Sequence, residues 1–163
     1  GDYRFHEVSS TDVVVGDAKV TVRDVPHVGK TNGYRVELGG ATVAYASDHQ
    51  MPEDGSHGIP DSVLTLADGV DLLIHDAQYT PEEFAQKSHW GHCTIDFAIH
   101  VAVTAGAKRL ALFHHDPSHD DDTVDRLLEQ AQGLVPSDSH LEVIAAAENL
   151  TVTLADPLPD PYQ

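Results

Sequence analysis

Three short apolar runs in this sequence end on groups that bind metals or move protons. Ala41–Ala46 runs into Ser47-Asp48, Val70–Ile74 into His75-Asp76, and Leu110–Phe113 into His114-His115-Asp116. Short apolar runs bounded by turn residues read as buried strands. Before the last run, Ile95, Ala98, Ile99, Ala102 and Val103 recur at helical spacing between Thr94 and Gly106. A helix feeding directly into a strand sets the helix start and the strand end at one edge of a sheet. In open α/β sheets, sites form at that edge, beyond the carboxyl ends of the strands. The chain is thereby constrained to an α/β fold in which His92, at the helix start, can meet His114, at the strand end.

The other elements follow in order. Residues 3–25 read as two or three strands, from the alternation in Lys19–Val25 and the Gly16-Asp17 turn; His6 falls in the first and reads as structural. Gly39-Gly40 between Tyr34–Leu38 and Ala41–Ala46 signals a hairpin. Asp61–Ala67 reads as a short helix capped by Asp61, and Thr80 caps another that starts at Pro81. Val124, Leu127, Leu128 and Ala131 mark an amphipathic helix closed by Gly133. Leu141–Ala147 and Leu150–Leu154 read as a last hairpin or strand pair. The expected unit is 1–155, with a loose, proline-bearing tail at 156–163.

Charge narrows the partners. There are 27 Asp and Glu against 9 Lys and Arg, a formal net charge of −18 in 163 residues. Such a surface repels phosphate backbones and anionic membranes, which disfavours long nucleic acid and favours a small substrate. The same charge also suits a solubility or high-salt adaptation, or a surface partly offset by bound metal. No apolar run approaches the ~20 residues of a membrane span, and no signal-peptide pattern shows. The single Cys93 excludes an internal disulfide and is compatible with a reducing, cytoplasmic setting.

The chain also carries 12 His. His27, Asp48, Asp76, His92 and His114 fall on strand ends or loops at one edge, and imidazole with carboxylate suits zinc, manganese or iron. Taken singly, each has a structural alternative: His27 a turn residue, Asp48 a loop cap, His92 a neighbour of the Thr94 cap, His114 a surface residue beside His115. The case rests on their joint placement. Gly-x-Ser-x-Gly and P-loop spacings are absent, so serine hydrolase and nucleoside triphosphatase readings lack support.

Over residues 18–155 the sequence resembles the C-terminal half of a metallo-β-lactamase-fold hydrolase of the ribonuclease Z and phosphodiesterase branch. His27, followed after five residues by Gly33-Tyr34-Arg35, resembles the family's first-metal His. Asp48 at the end of Tyr45-Ala46-Ser47 is similar to the Asp that bridges both metals. His75-Asp76-Ala77 resembles His-Glu-Ala, Gly91-His92-Cys93-Thr94 the segment of a non-ligand proton donor, and Leu112-Phe113-His114 the last ligand of the second metal. The resemblance implies two divalent ions, zinc by preference with manganese or iron as alternatives, held by His27, Asp48 and His114. It implies His92 as proton donor and Asp76 as its orienter. The implied activity is hydrolysis of a small ester or phosphodiester, such as a cyclic nucleotide, by a metal-activated water.

The family's His-x-His-x-Asp-His signature occurs nowhere in the chain. The expected fold is therefore the C-terminal half of an αββα sandwich, with the other half in the same or another chain. Three protein ligands are typical of catalytic zinc, and here each ion keeps one private ligand plus Asp48. An open apolar sheet face is expected, which invites association between copies. A non-catalytic or degenerate module of this fold, and a His-rich metal-binding protein, are the alternatives.

Overall fold

The structure, a computed structural model, describes residues 7–154. It contains strands β1 (Asp12–Val15), β2 (Ala18–Val25), β3 (Thr31–Leu38), β4 (Ala41–Ala46), β5 (Leu72–Asp76), β6 (Arg109–Phe113) and β7 (Glu142–Ala145). Helices α1 (Asp61–Ala67), α2 (Pro81–Lys87), α3 (Ile95–Thr104) and α4 (Asp121–Leu134) complete it. The strands form one sheet in sequence order. β1 to β4 pair antiparallel. β4 to β7 pair parallel, and β5, β6 and β7 follow crossovers that contain helices. This is half of an αββα sandwich, as the sequence implies.

Local chemistry sets the elements. Gly39 and Gly40 take φ of +59° and +84°, the two positive values that a two-residue hairpin loop needs and that glycine adopts at low cost. At α2, Thr80 accepts from the Glu83 amide while the Glu83 side chain accepts from the Thr80 amide, with Pro81 opening the helix. Thr94 caps α3 through the Phe97 amide, and Asp120 caps α4 through the Thr123 amide.

Alternation along the strands divides the apolar residues between two faces. Val25, Ala44, Leu73, Leu110, Leu112 and Val143 face the helices and join one core with Leu66, Phe84, Phe97, Val101 and Ala131. All four described helices pack on this face. Phe97 is fully buried there, and truncating it to alanine should cost about 3–5 kcal/mol. On the opposite face Tyr45, Leu72, Ile74, Ala111, Phe113 and Ile144 line an apolar groove, over which Leu150 and Val152 lie. Tyr45 and Leu150 remain 37% and 50% exposed. The open apolar face is thus present, and part of it is covered by Leu150 and Val152.

Some boundaries differ from expectation. Asp61 is the first residue of α1 rather than its cap; Pro60 holds the cap position without a side-chain bond. Gly133 lies inside α4, which ends at Leu134 because Val135 precedes Pro136 and turns extended. β5 begins at Leu72, two residues later than the apolar run. Residues 150–154 form no strand, so the last hairpin is replaced by β7 alone and an irregular segment. His6 and the tail 156–163 lie outside the described residues.

Candidate functional site

The parallel strands end in register, with Ala46 opposite His75 and Asp76 opposite Phe113. Asp48 lies just past β4, Asp76 ends β5, and His114 follows β6. His27 follows β2 after Pro26, and His92 sits in the loop between α2 and α3. That loop is anchored to β5's extension by amide bonds from Tyr79 to Cys93 O and from Ile95 to Tyr79 O.

The five residues named from the sequence come together. The ring of His92 lies 5.4 Å from that of His27 and 4.8 Å from that of His114, centroid to centroid. His114 Nε2 lies 3.8 Å from Asp48 Oδ1. His92 Nδ1 lies 2.7 Å from Asp76 Oδ2. Asp76, His92 and His114 also form a group whose ligand atoms lie close enough to hold an ion. Asp76, however, is fully buried and committed: Oδ1 accepts from the amides of Gln78 and Cys93, and Oδ2 takes His92.

Each imidazole has a defined orientation. His27 Nδ1 donates to Gly91 O at 2.8 Å, because a carbonyl can only accept. In the neutral ring this leaves the His27 Nε2 lone pair free, the arrangement in which metal-ligating histidines are held. Gly91 has φ +99°, and a Cβ placed there would lie 2.5 Å from His27 Nδ1. His114 takes φ +62°, a left-handed conformation uncommon for non-glycine residues. Its neighbour His115 turns away to Ala146 O, so the structure decides which of the pair faces the site.

The turn after His114 is fastened by Asp116, which accepts from the Ser118 amide and hydroxyl and pairs with Lys87 at 2.9 Å. Burial alone would raise the Asp116 carboxyl, but the bonds from Ser118 and Lys87 outweigh it and hold it well below the usual carboxylate range. Sequence reasoning missed Ser47, whose hydroxyl donates to Asp48 Oδ2, and the Gly91 carbonyl. The signal for Ser47 was its place before the strand-end Asp. The carbonyl has no signature in the sequence.

The arrangement offers two acceptor atoms that take no hydrogen bond among the described residues, His27 Nε2 and Asp48 Oδ1, beside His114, and an imidazole held by a buried carboxylate. Residues 3–115 match the family model described as beta-lactamase superfamily domain, and the chain belongs to that family. It is 36% identical over 102 residues to ribonuclease Z of Sulfurisphaera tokodaii, covering 55% of this chain and 32% of that protein. It is 36% identical over 80 residues to ribonuclease Z of Brevibacillus brevis, covering 47% of this chain and 25% of the relative.

Among solved structures, the metallo-beta-lactamase fold protein YhfI from Bacillus subtilis matches with TM-score 0.65 at 23% identity, over 83% of this chain and 49% of that one. Human tRNase Z, short form, matches with TM-score 0.64 at 20% identity, over 88% and 46%. Zn(2+)-bound PqqB from Methylobacterium extorquens matches with TM-score 0.64 at 18% identity, over 91% and 51%. These likenesses show the fold. The chain spans about a third or less of the ribonuclease Z relatives. No helix among the described residues is long and apolar enough to cross a membrane. The relatives' names lend no support to the charge-based expectation that long nucleic acid is disfavoured.

Proposed function

We propose that this chain supplies half of the site of a metal-dependent phosphodiester hydrolase. The observation that carries the reading is the row of His27, His92 and His114 flanked by Asp48, with His92 alone held by a buried carboxylate. His27, Asp48 and His114 fit a pair of divalent cations, zinc by preference, with Asp48 as the shared ligand. The fit rests on the free His27 Nε2 and on the 3.8 Å between Asp48 and His114. Such ions, when bound, polarise a phosphoryl oxygen and acidify water.

The chain's own residues do the rest. Asp76 fixes the His92 ring through Nδ1, which directs Nε2 away from the carboxylate. His92, when protonated, can then hand a proton from Nε2 to a leaving alkoxide, and Asp76 balances its charge. The net charge of −18 supports a small phosphodiester, such as a cyclic nucleotide, over a polyanion. The ribonuclease Z relatives support RNA instead, so both enter the test.

The experiment is hydrolysis of a cyclic nucleotide, bis(p-nitrophenyl) phosphate and a precursor transfer RNA, with and without zinc or manganese. The protein used carries a His-x-His-x-Asp-His segment together with this chain. Metal-dependent turnover that Asp48→Ala abolishes is the expected result. Normal rate and full metal content in Asp48→Ala would sink the bridging role. No metal binding at all would favour a non-catalytic module of the same fold.

A further inference from the structure

Beneath the candidate site lies a second, fully buried cluster, His49, His75 and Cys93. Each is the chain neighbour of a residue assigned above: His49 follows Asp48, His75 precedes Asp76, and Cys93 follows His92. Their protonation can be worked out from the partners. His75 Nδ1 lies 2.7 Å from the Asp76 carbonyl oxygen, which can only accept, so Nδ1 carries the proton. Both rings are fully buried and no carboxylate is bonded to either, so a charge on either ring would go uncompensated and both are neutral. His75 Nε2 is then a bare lone pair, and His49 Nδ1, 2.8 Å away, must donate to it. The Cys93 thiol donates to the His49 carbonyl at 2.7 Å, and the Cys93 amide donates to Asp76 Oδ1 at 3.0 Å.

The same three residues could be read as metal ligands, and the spacing decides against it. Two nitrogens each about 2.0–2.1 Å from one tetrahedral ion stand about 3.3 Å apart. At 2.8 Å the two rings share a proton rather than a cation.

The geometry points to a positioning role: His49, His75 and Cys93 form a hydrogen-bonded knot that fixes the spacing of the three segments carrying Asp48, Asp76 and His92. What is being positioned rests on the function proposed above; the knot itself does not. The choice of imidazole fits this role. His49 Nε2 is buried and has no partner among the described residues, so the ring is not there for that atom. Leucine would remove the orphan nitrogen but would strand His75 Nε2. Asparagine would keep a donor close to the Nδ1 position.

The test is imidazole nitrogen NMR of the ¹⁵N-labelled chain at mildly alkaline pH. Expected are Nδ1–H forms of both His49 and His75, the minority tautomer of a free imidazole, with a nitrogen–nitrogen coupling between the rings. His92 should also appear as the Nδ1–H form, reporting its contact with Asp76. His49→Asn should keep that His92 signature, and His49→Leu should lose it. An Nε2–H tautomer at His49 or His75 overturns the knot. So does an unchanged His92 in His49→Leu, or one tightly bound zinc per chain that Cys93→Ala removes. None of these signals depends on hydrolysis, so failure of the proposed activity would leave them standing.

Discussion

Gly91→Ala should damage the site by an amount that can be divided into two parts. The first is backbone: at φ +99° an alanine sits in a region costing about 1–2 kcal/mol, reduced by about 0.4–1 kcal/mol through the stiffer unfolded chain. The second is contact. The new Cβ would lie 2.5 Å from His27 Nδ1 and 2.6 Å from Cε1, about 1 Å inside ordinary carbon contact distances. His27 must swing, and its bond to Gly91 O is lost, at about 0.5–1.5 kcal/mol. The sum is about 0.5–3 kcal/mol, or about 1–12 °C in Tm for a chain of this size.

Gly106→Ala is the control. Gly106 has φ +67°, and a methyl added there would meet nothing within 4 Å, so it carries only the backbone part. Circular dichroism melts and zinc titration calorimetry on both variants separate the terms. Gly91→Ala should melt lower than Gly106→Ala and bind zinc more weakly, while Gly106→Ala should keep the parent affinity. Equal melting shifts, with zinc affinity unchanged in both, would refute the claim that Gly91 lacks a side chain to make room for His27.

Other outcomes follow from the same geometry. His92→Ala, in a protein that carries a His-x-His-x-Asp-His segment together with this chain, should keep its metal content and lower kcat by roughly 10²–10⁴, less for nitrophenyl leaving groups; loss of metal would make His92 a ligand. The isolated chain should self-associate or bind a hydrophobic dye through the Tyr45–Phe113 face, and Tyr45→Glu should reduce this in sedimentation; a monomer that binds no dye would count against an open face. Asp71 is held below its ordinary pKa by Lys108 and then by Thr42, with burial opposing. Its folded pKa is depressed, so its contribution is present above about pH 4 and lost as pH falls through the folded value. Asp71→Asn should therefore flatten that acid limb in urea melts, and an unchanged limb would remove Asp71 from the account.

Much of this was legible in the sequence because the local signals agree with the tertiary result. Gly39-Gly40, the Thr80-Pro81-Glu83 box and the Thr94 cap each act within a few residues. The gathering of the candidate residues at one edge was legible because strand ends in a parallel sheet meet regardless of the sequence between them. Misreadings arose where distant context decides. Gly133 has the character of a stop, but Pro136 sets the helix end. Residues 150–154 have strand composition, yet they lie across the open face instead of pairing in the sheet. The His49–His75 bond went unread because both histidines sit beside stronger motif residues. A histidine directly following Leu72-Leu73-Ile74 was the available clue, since a ring buried in such a strand must find a partner.

The division of the sheet has a consequence for how the molecule is made. β1 to β4 join by short connections and contact their sequence neighbours, so they can pair early and locally. β4 to β6 join through crossovers, and closing those longer loops comes at a higher entropic cost and later. Asp76, His92 and His114 all belong to that late half. A chain with only its hairpins formed would own His27 and Asp48 and none of the groups they face. Cation binding should therefore trail sheet formation in refolding experiments, and a bound ion would certify a finished chain.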